Sequence, residues 1–246
     1  EDIEFNYTDF LKQDRKLKLP ILIFYGAIIY YSANLLKKQG ITEIPKNILF
    51  SGTASKTIKI IDTQAGNPNI SNLFKYFFKQ VMGIESEQLK IALSDNPKEI
   101  TCKGVLRADI NENITNCPVV FWIGGNDNSI WSKALNKSTD IPDTPYYRDL
   151  ETGNNKALIE NSVNQFFALL DGYFRSVNLE GEFGIDNSAY LKFKQMRSLN
   201  IGDFLEQGLK AFYKSSEKHI EETLFFYPLI GILNKLAFEL ANTDNR

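Results

Sequence analysis

From Pro20 to Leu36 no residue carries a charge, and large apolar side chains recur on every side of the run: Ile21, Leu22, Ile23, Phe24, Ile28, Ile29, Leu35 and Leu36. Pro20 suits the first position of a helix, Lys37 and Lys38 fall at the negative end of its dipole, and Gly40 stops it. The pattern therefore predicts a helix from Pro20 to about Gln39. A helix that is apolar all round must be enclosed, by lipid or by protein. A membrane span needs roughly 20 apolar residues. This run is shorter and contains Ser32 and Asn34. The expectation is a helix buried between the layers of a soluble domain, with no membrane span.

The rest of the chain has the means to bury it. With 246 residues, 43% apolar and 24% charged, the sequence has ordinary globular composition and room for one large domain or two small ones. Its 28 basic and 30 acidic residues include no basic block, which argues against nucleic acid as a partner. Two cysteines, Cys102 and Cys117, make no disulfide framework, and His219 is the only histidine. Zinc sites and histidine-based triads are disfavoured. His219 lies among Glu217, Glu221 and Glu222 and reads as a solvated helix residue. The thiols have no base or metal partner in sequence, read as inert, and suit a reducing, cytoplasmic compartment. The opening Glu1-Asp2 reads as a piece cut from a longer protein.

In chain order, Glu1 to Lys12 alternates polar and apolar residues like a short strand, and Gln13 to Lys18 is a charged connector. After the apolar helix, Asn47 to Phe50 reads as a strand, Ser51-Gly52 as a turn, and Ala54 to Thr63 as a helical segment. Gly66-Asn-Pro-Asn69 breaks the chain. Ser71 is expected to cap a third helix carrying Leu73, Phe74, Phe77, Phe78 and Val81, which Gly83 ends. Leu89 to Leu93 reads as a strand and Pro97 to Leu106 as a helix. Helices alternating with strands over short links predict an α/β layer with parallel strands.

Beyond Arg107 the pattern changes. Val119 to Ile123 is a buried-strand run ending in Gly124-Gly-Asn-Asp-Asn-Ser129, and residues 132–156 read as a long surface loop. The Gly-Gly turn could cradle an anion through backbone N–H groups, but it has no P-loop Gly-Lys-Ser/Thr and too few carboxylates for calcium. A plain polar turn is the better reading. Ile159, Val163, Phe166, Phe167, Leu170, Phe174 and Val177 make one helical stripe, Asn178 to Asn187 a turn region. Helices are expected over Ser188–Arg197, Asp203–Lys214 and Glu217–Ala241, the last kinked or split at Pro228. The organisation read from this is an α/β domain, 1–130, followed by a loop and a mostly helical appendage, 131–246.

The segment Ile48-Leu-Phe-Ser-Gly-Thr-Ala-Ser-Lys56, taken with Asn96-Pro-Lys-Glu-Ile-Thr-Cys-Lys-Gly-Val105, resembles the closing part of the second lobe of the actin, heat-shock chaperone and sugar kinase ATPase superfamily. The resemblance spans residues 20–106, about a third of the chain. It implies an actin-like, ribonuclease H-like half-domain in which Gly52 brings the backbone close to a nucleotide. Thr53, Ala54 and Ser55 would line the adenosine, with Lys56 near the ribose or ring. Asn96, Pro97 and Gly104 would mark a helix packed on the opposite lobe. The chain departs from the family pattern in having Thr53 where a second glycine is common, and Cys102 and Lys103 where small residues are. Its lone Asp171-Gly172 falls inside an amphipathic helix and cannot be a phosphate hairpin.

The resemblance therefore implies a C-terminal fragment of a larger protein that supplies the adenosine side of a site and cannot hydrolyse ATP alone. ATP would bind in the full-length parent, with Mg supplied by the remaining lobe, and not tightly here. The helical appendage would modulate the site or dock a protein partner. The rival reading, favoured by Thr53, is a non-enzymatic scaffold or interaction domain that has lost nucleotide binding.

Overall fold

An uncharged helix can be enclosed by other helices as well as by a sheet, and helices do most of the enclosing here. The computed structural model describes residues 15–85, 88–94, 118–122, 130–134, 154–214 and 225–242. The apolar run is helix α1, Lys18–Lys38, with Leu19, Leu22, Ile23, Ala27 and Ala33 fully buried. It is long and apolar enough to cross a membrane by length and composition alone, yet more than half of its most apolar window is buried within the fold. Ser32 and Asn34, which interrupt the run, each bond a carbonyl one turn back: Ser32 Oγ donates to Ile28 O at 2.8 Å and Asn34 Nδ2 to Tyr30 O at 2.9 Å.

Strand β1, Asn47–Phe50, follows and pairs in parallel with β2, Lys90–Leu93, in the register Asn47 to Lys90 through Phe50 to Leu93. Between them lie a five-residue 3₁₀ turn, Thr53–Thr57, a single turn of helix α2, Ile58–Ile61, and helix α3, Pro68–Met82. This is a right order of elements for a β-α-β crossover. Strands β3, Pro118–Trp122, and β4, Ile130–Ala134, form a separate antiparallel pair. Thus residues 132–134, read from sequence as loop, are strand. The remaining elements are helices: α4, Asn154–Ser176; α5, Leu179–Phe183; α6, Asn187–Lys214; and α7, Phe226–Ala241.

The expected α/β actin-like half-domain is overturned by this inventory. Among the described residues the protein is mostly helical, and the parallel sheet stops at two strands. The physical reason is that the apolar helix faces are satisfied by one another. Tyr30 of α1 lies 6.2 Å from Phe77 of α3, 5.4 Å from Phe166 of α4 and 5.7 Å from Phe225 before α7, centroid to centroid. Phe77 stacks on Phe166 at 5.7 Å. Gly26, one turn before Tyr30, lets this happen, since a Cβ there would sit 3.2 Å from the Phe77 ring. One hydrophobic cluster then runs from Leu19 to Leu240.

Two local readings change. Ser71 does not cap α3; Asn67 occupies the cap position in the left-handed region (φ 49°), Pro68 opens the helix, and Ser71 is buried in its first turn. The two helices read over Ser188–Arg197 and Asp203–Lys214 are one, α6, and Gly202 stands within it. Of the helix read over Glu217–Ala241, the described part is α7, which begins at Phe226 and has Pro228 in its first turn, where a missing N–H removes no helical bond; residues 217–224 lie outside the described residues. Gly40 and Gly83 do end α1 and α3, with φ 74° at both. The strand read at Glu1–Lys12, the helix at Pro97–Leu106, the Gly124–Ser129 turn, Cys102, Cys117 and His219 lie outside the described residues.

Candidate functional site

Strand β1 delivers the chain to Gly52, whose backbone at φ 82° and ψ 160° occupies a region essentially closed to residues with a side chain. Packing does not demand glycine here: among the described residues, an added Cβ would meet no atom within 4 Å. This turn lies beyond the carboxyl end of the parallel strand pair. The pair stays closed up to that point, with Ser94 N donating to Phe50 O at 3.1 Å.

The turn is held from within and from below. Ser55 is buried, and both its backbone N–H, at 3.1 Å, and its hydroxyl, at 2.7 Å, donate to the Gly52 carbonyl. From below, Tyr25 of α1 reaches up between the ends of the turn. Its ring meets Phe50 edge-on at 5.4 Å and 88°, and its hydroxyl lies 2.8 Å from Thr57 Oγ1. Burial raises the Tyr25 pKa above the ordinary phenol value, partly offset by the Thr57 bond, so the hydroxyl stays neutral at physiological pH.

No protein-family model, curated protein or solved structure matches the chain. The site therefore rests on its own geometry.

Of the residues expected from sequence, Gly52 has the backbone a close ligand approach needs. Ser55 is turned inward to the Gly52 carbonyl. Lys56 is exposed at the end of the 3₁₀ turn. Thr53 and Ala54 contribute their backbone to that turn. Asn96, Pro97 and Gly104 lie outside the described residues. Tyr25 and Thr57 were missed. The available signal was slight: Tyr25 is one of three phenols in α1, with Tyr30 and Tyr31, and a buried tyrosine hydroxyl ordinarily finds a polar partner.

A second polar group sits between α4 and α6. Asp171 takes both arms of Arg197, one bond measuring 2.7 Å, and also the hydroxyl of Tyr190. The guanidinium lies over the rings of Phe167 and Phe193, at 5.4 and 5.5 Å. Burial alone would raise the Asp171 carboxyl, but the bonds from Arg197 and Tyr190 outweigh it and hold its pKa below the usual carboxylate value. These bonds join α4 to α6, so the group ties the two helices together. Among the described residues no group of three or more His, Cys, Asp or Glu side chains is arranged to hold a metal.

Proposed function

We propose that the Gly52 turn is the adenosine-side wall of a nucleotide site completed by another segment, and that the chain does not hydrolyse ATP by itself. The observation that carries this reading is the glycine-only backbone at Gly52, present where no described atom lies within 4 Å of the place a Cβ would take. A conformation costing roughly 1–3 kcal/mol for any other residue is a hypothesis of function when packing does not require it. The residues that would hold phosphates and Mg are expected from the rest of the site. Lys56, exposed beside the turn, suits the ribose or ring edge.

The test is a thermal shift of the 246-residue chain in millimolar ATP. Wild type, which carries one wall of the site, is expected to gain about 1 °C, as a ligand present near its dissociation constant does for a protein of this size. Gly52→Val is expected to show no gain relative to its own ligand-free midpoint. Absence of a shift in wild type sinks the reading, and ATP turnover by the purified chain contradicts its second half.

A second reading, a non-enzymatic interaction domain, draws on Leu191 and Phe238, which are 61% and 71% exposed. They are next in sequence to Lys192 and Glu239, the pair joining α6 to α7 at 3.5 Å. On this reading ATP shifts neither wild type nor Gly52→Val, while Phe238→Asp leaves the melting temperature unchanged and removes any association with a partner.

A further inference from the structure

We infer that Tyr25 is the positioning residue of the Gly52 turn, one side chain that pins both ends of it to the central helix. The inference rests on the reading of that turn as a ligand wall and names what keeps it in shape.

A two-stranded parallel pair is marginal by itself, and the loop at its end would be expected to fray. The turn nonetheless has an anchor on each side. Phe50, the last residue of β1, meets the edge of the Tyr25 ring, and Thr57, the last residue of the 3₁₀ turn, meets its hydroxyl at 2.8 Å. Tyr25 is itself only 4% exposed. It projects from α1, which is fixed through Tyr30 by aromatic residues of α3, α4 and the start of α7. Between the anchors, the Gly52 carbonyl is held by Ser55. Among the described residues, nothing lies within 4 Å of the place a Cβ on Gly52 would take. A wall fixed in advance loses little freedom when a ligand arrives, which improves affinity without any direct contact from Tyr25.

The experiment is amide hydrogen exchange on the full chain, with and without ATP, for wild type, Tyr25→Phe, Thr57→Val, the double variant and Tyr173→Phe. Tyr173 is a buried tyrosine whose hydroxyl donates to Asn69 O at 3.4 Å, and its variant reports the effect of losing such a bond elsewhere. Tyr25→Phe and Thr57→Val are each expected to speed exchange over residues 50–57 about fivefold, the loss of one hydrogen bond. The double variant is expected to add nothing to either single change, and Tyr173→Phe to leave these amides alone. ATP affinity is expected to fall about fivefold in Tyr25→Phe and not in Tyr173→Phe. Unchanged exchange at 50–57 in Tyr25→Phe overturns the inference, as does a loosened turn that binds ATP as well as wild type does. A loosened turn together with no ATP response in any variant supports the pinning and removes the nucleotide reading instead.

Discussion

Asp62 Oδ2 accepts the backbone N–H of Asn69 at 2.7 Å, and the same oxygen accepts that of Ile70 at 3.0 Å. A carboxylate from before the loop thus caps α3 from outside it, while Oδ1 takes the N–H of Gln64 at 3.3 Å. The negative charge also lies at the positive end of the helix dipole. Because Asp62 is 1% exposed, water cannot readily replace it.

Asp62→Ala is therefore expected to destabilise the protein by about 3 kcal/mol, since it strands buried N–H groups that a charge had bonded. Asp62→Asn, which retains one acceptor, is expected to lose about half of that. Urea unfolding of both variants measures the difference. A loss below about 0.5 kcal/mol for the alanine variant, the scale of an ordinary surface change, would show that the cap is not needed.

The Asp171–Arg197 tie predicts a pH dependence with a definite sign. Asp171 has a folded pKa below its unfolded one, so its contribution is present above the unfolded value, near 3.8, and disappears as pH falls through the folded value. Asp171→Asn is expected to cost about 2 kcal/mol at pH 7, because it leaves the mostly buried guanidinium without its countercharge. The gap between wild type and variant should stay level from pH 7 to about pH 5 and close below about pH 4. A gap that does not close in acid would mean that the carboxylate charge is not what the tie depends on.

Helices α6 and α7 approach so closely at Gly231 that a Cβ there would sit 2.4 Å from Phe204 Cδ1 and 2.9 Å from Phe204 Cβ. Gly231→Ala should gain up to about 1 kcal/mol in helix propensity. Overpacking against a ring whose own Cβ is in the way should cost about 1–3 kcal/mol more than that gain. A net loss in midpoint by denaturant unfolding is expected, recovered in part by Phe204→Leu. A stabilised Gly231→Ala would show that the two helices can part without cost.

Local punctuation was well marked in the residues. The strand at Asn47–Phe50 has the bounds read from sequence, Gly40 and Gly83 stop their helices, and the stripe from Ile159 to Phe174 is buried along α4. Each depends on backbone conformation or on periodicity within one element, which a sequence displays directly. The break read between Arg197 and Asp203 is absent from α6, and Gly202 and Pro228 show that one residue type serves two purposes. A glycine permits a break or a close approach, and a proline ends a helix or begins one. Nothing local separates these uses.

The candidate site divides in the same way. Gly52 was visible as a strand-ending glycine, whereas Tyr25 lies 32 positions from Thr57, and no spacing rule joins them.

By itself, the sequence determined that the run from Pro20 to Leu36 would be an enclosed helix, because no uncharged helix of that kind is stable with its sides in water. What would enclose it was decided only by tertiary structure. A layered sheet and a ring of aromatic helices bury the same side chains at similar gain, since the hydrophobic effect is proportional to area and indifferent to direction. The choice came from close fits between distant residues, Gly26 against Phe77 and Tyr30 against Phe166 and Phe225. Such fits depend on shape in three dimensions, and they made a mostly helical protein of a chain whose order of elements reads as α/β.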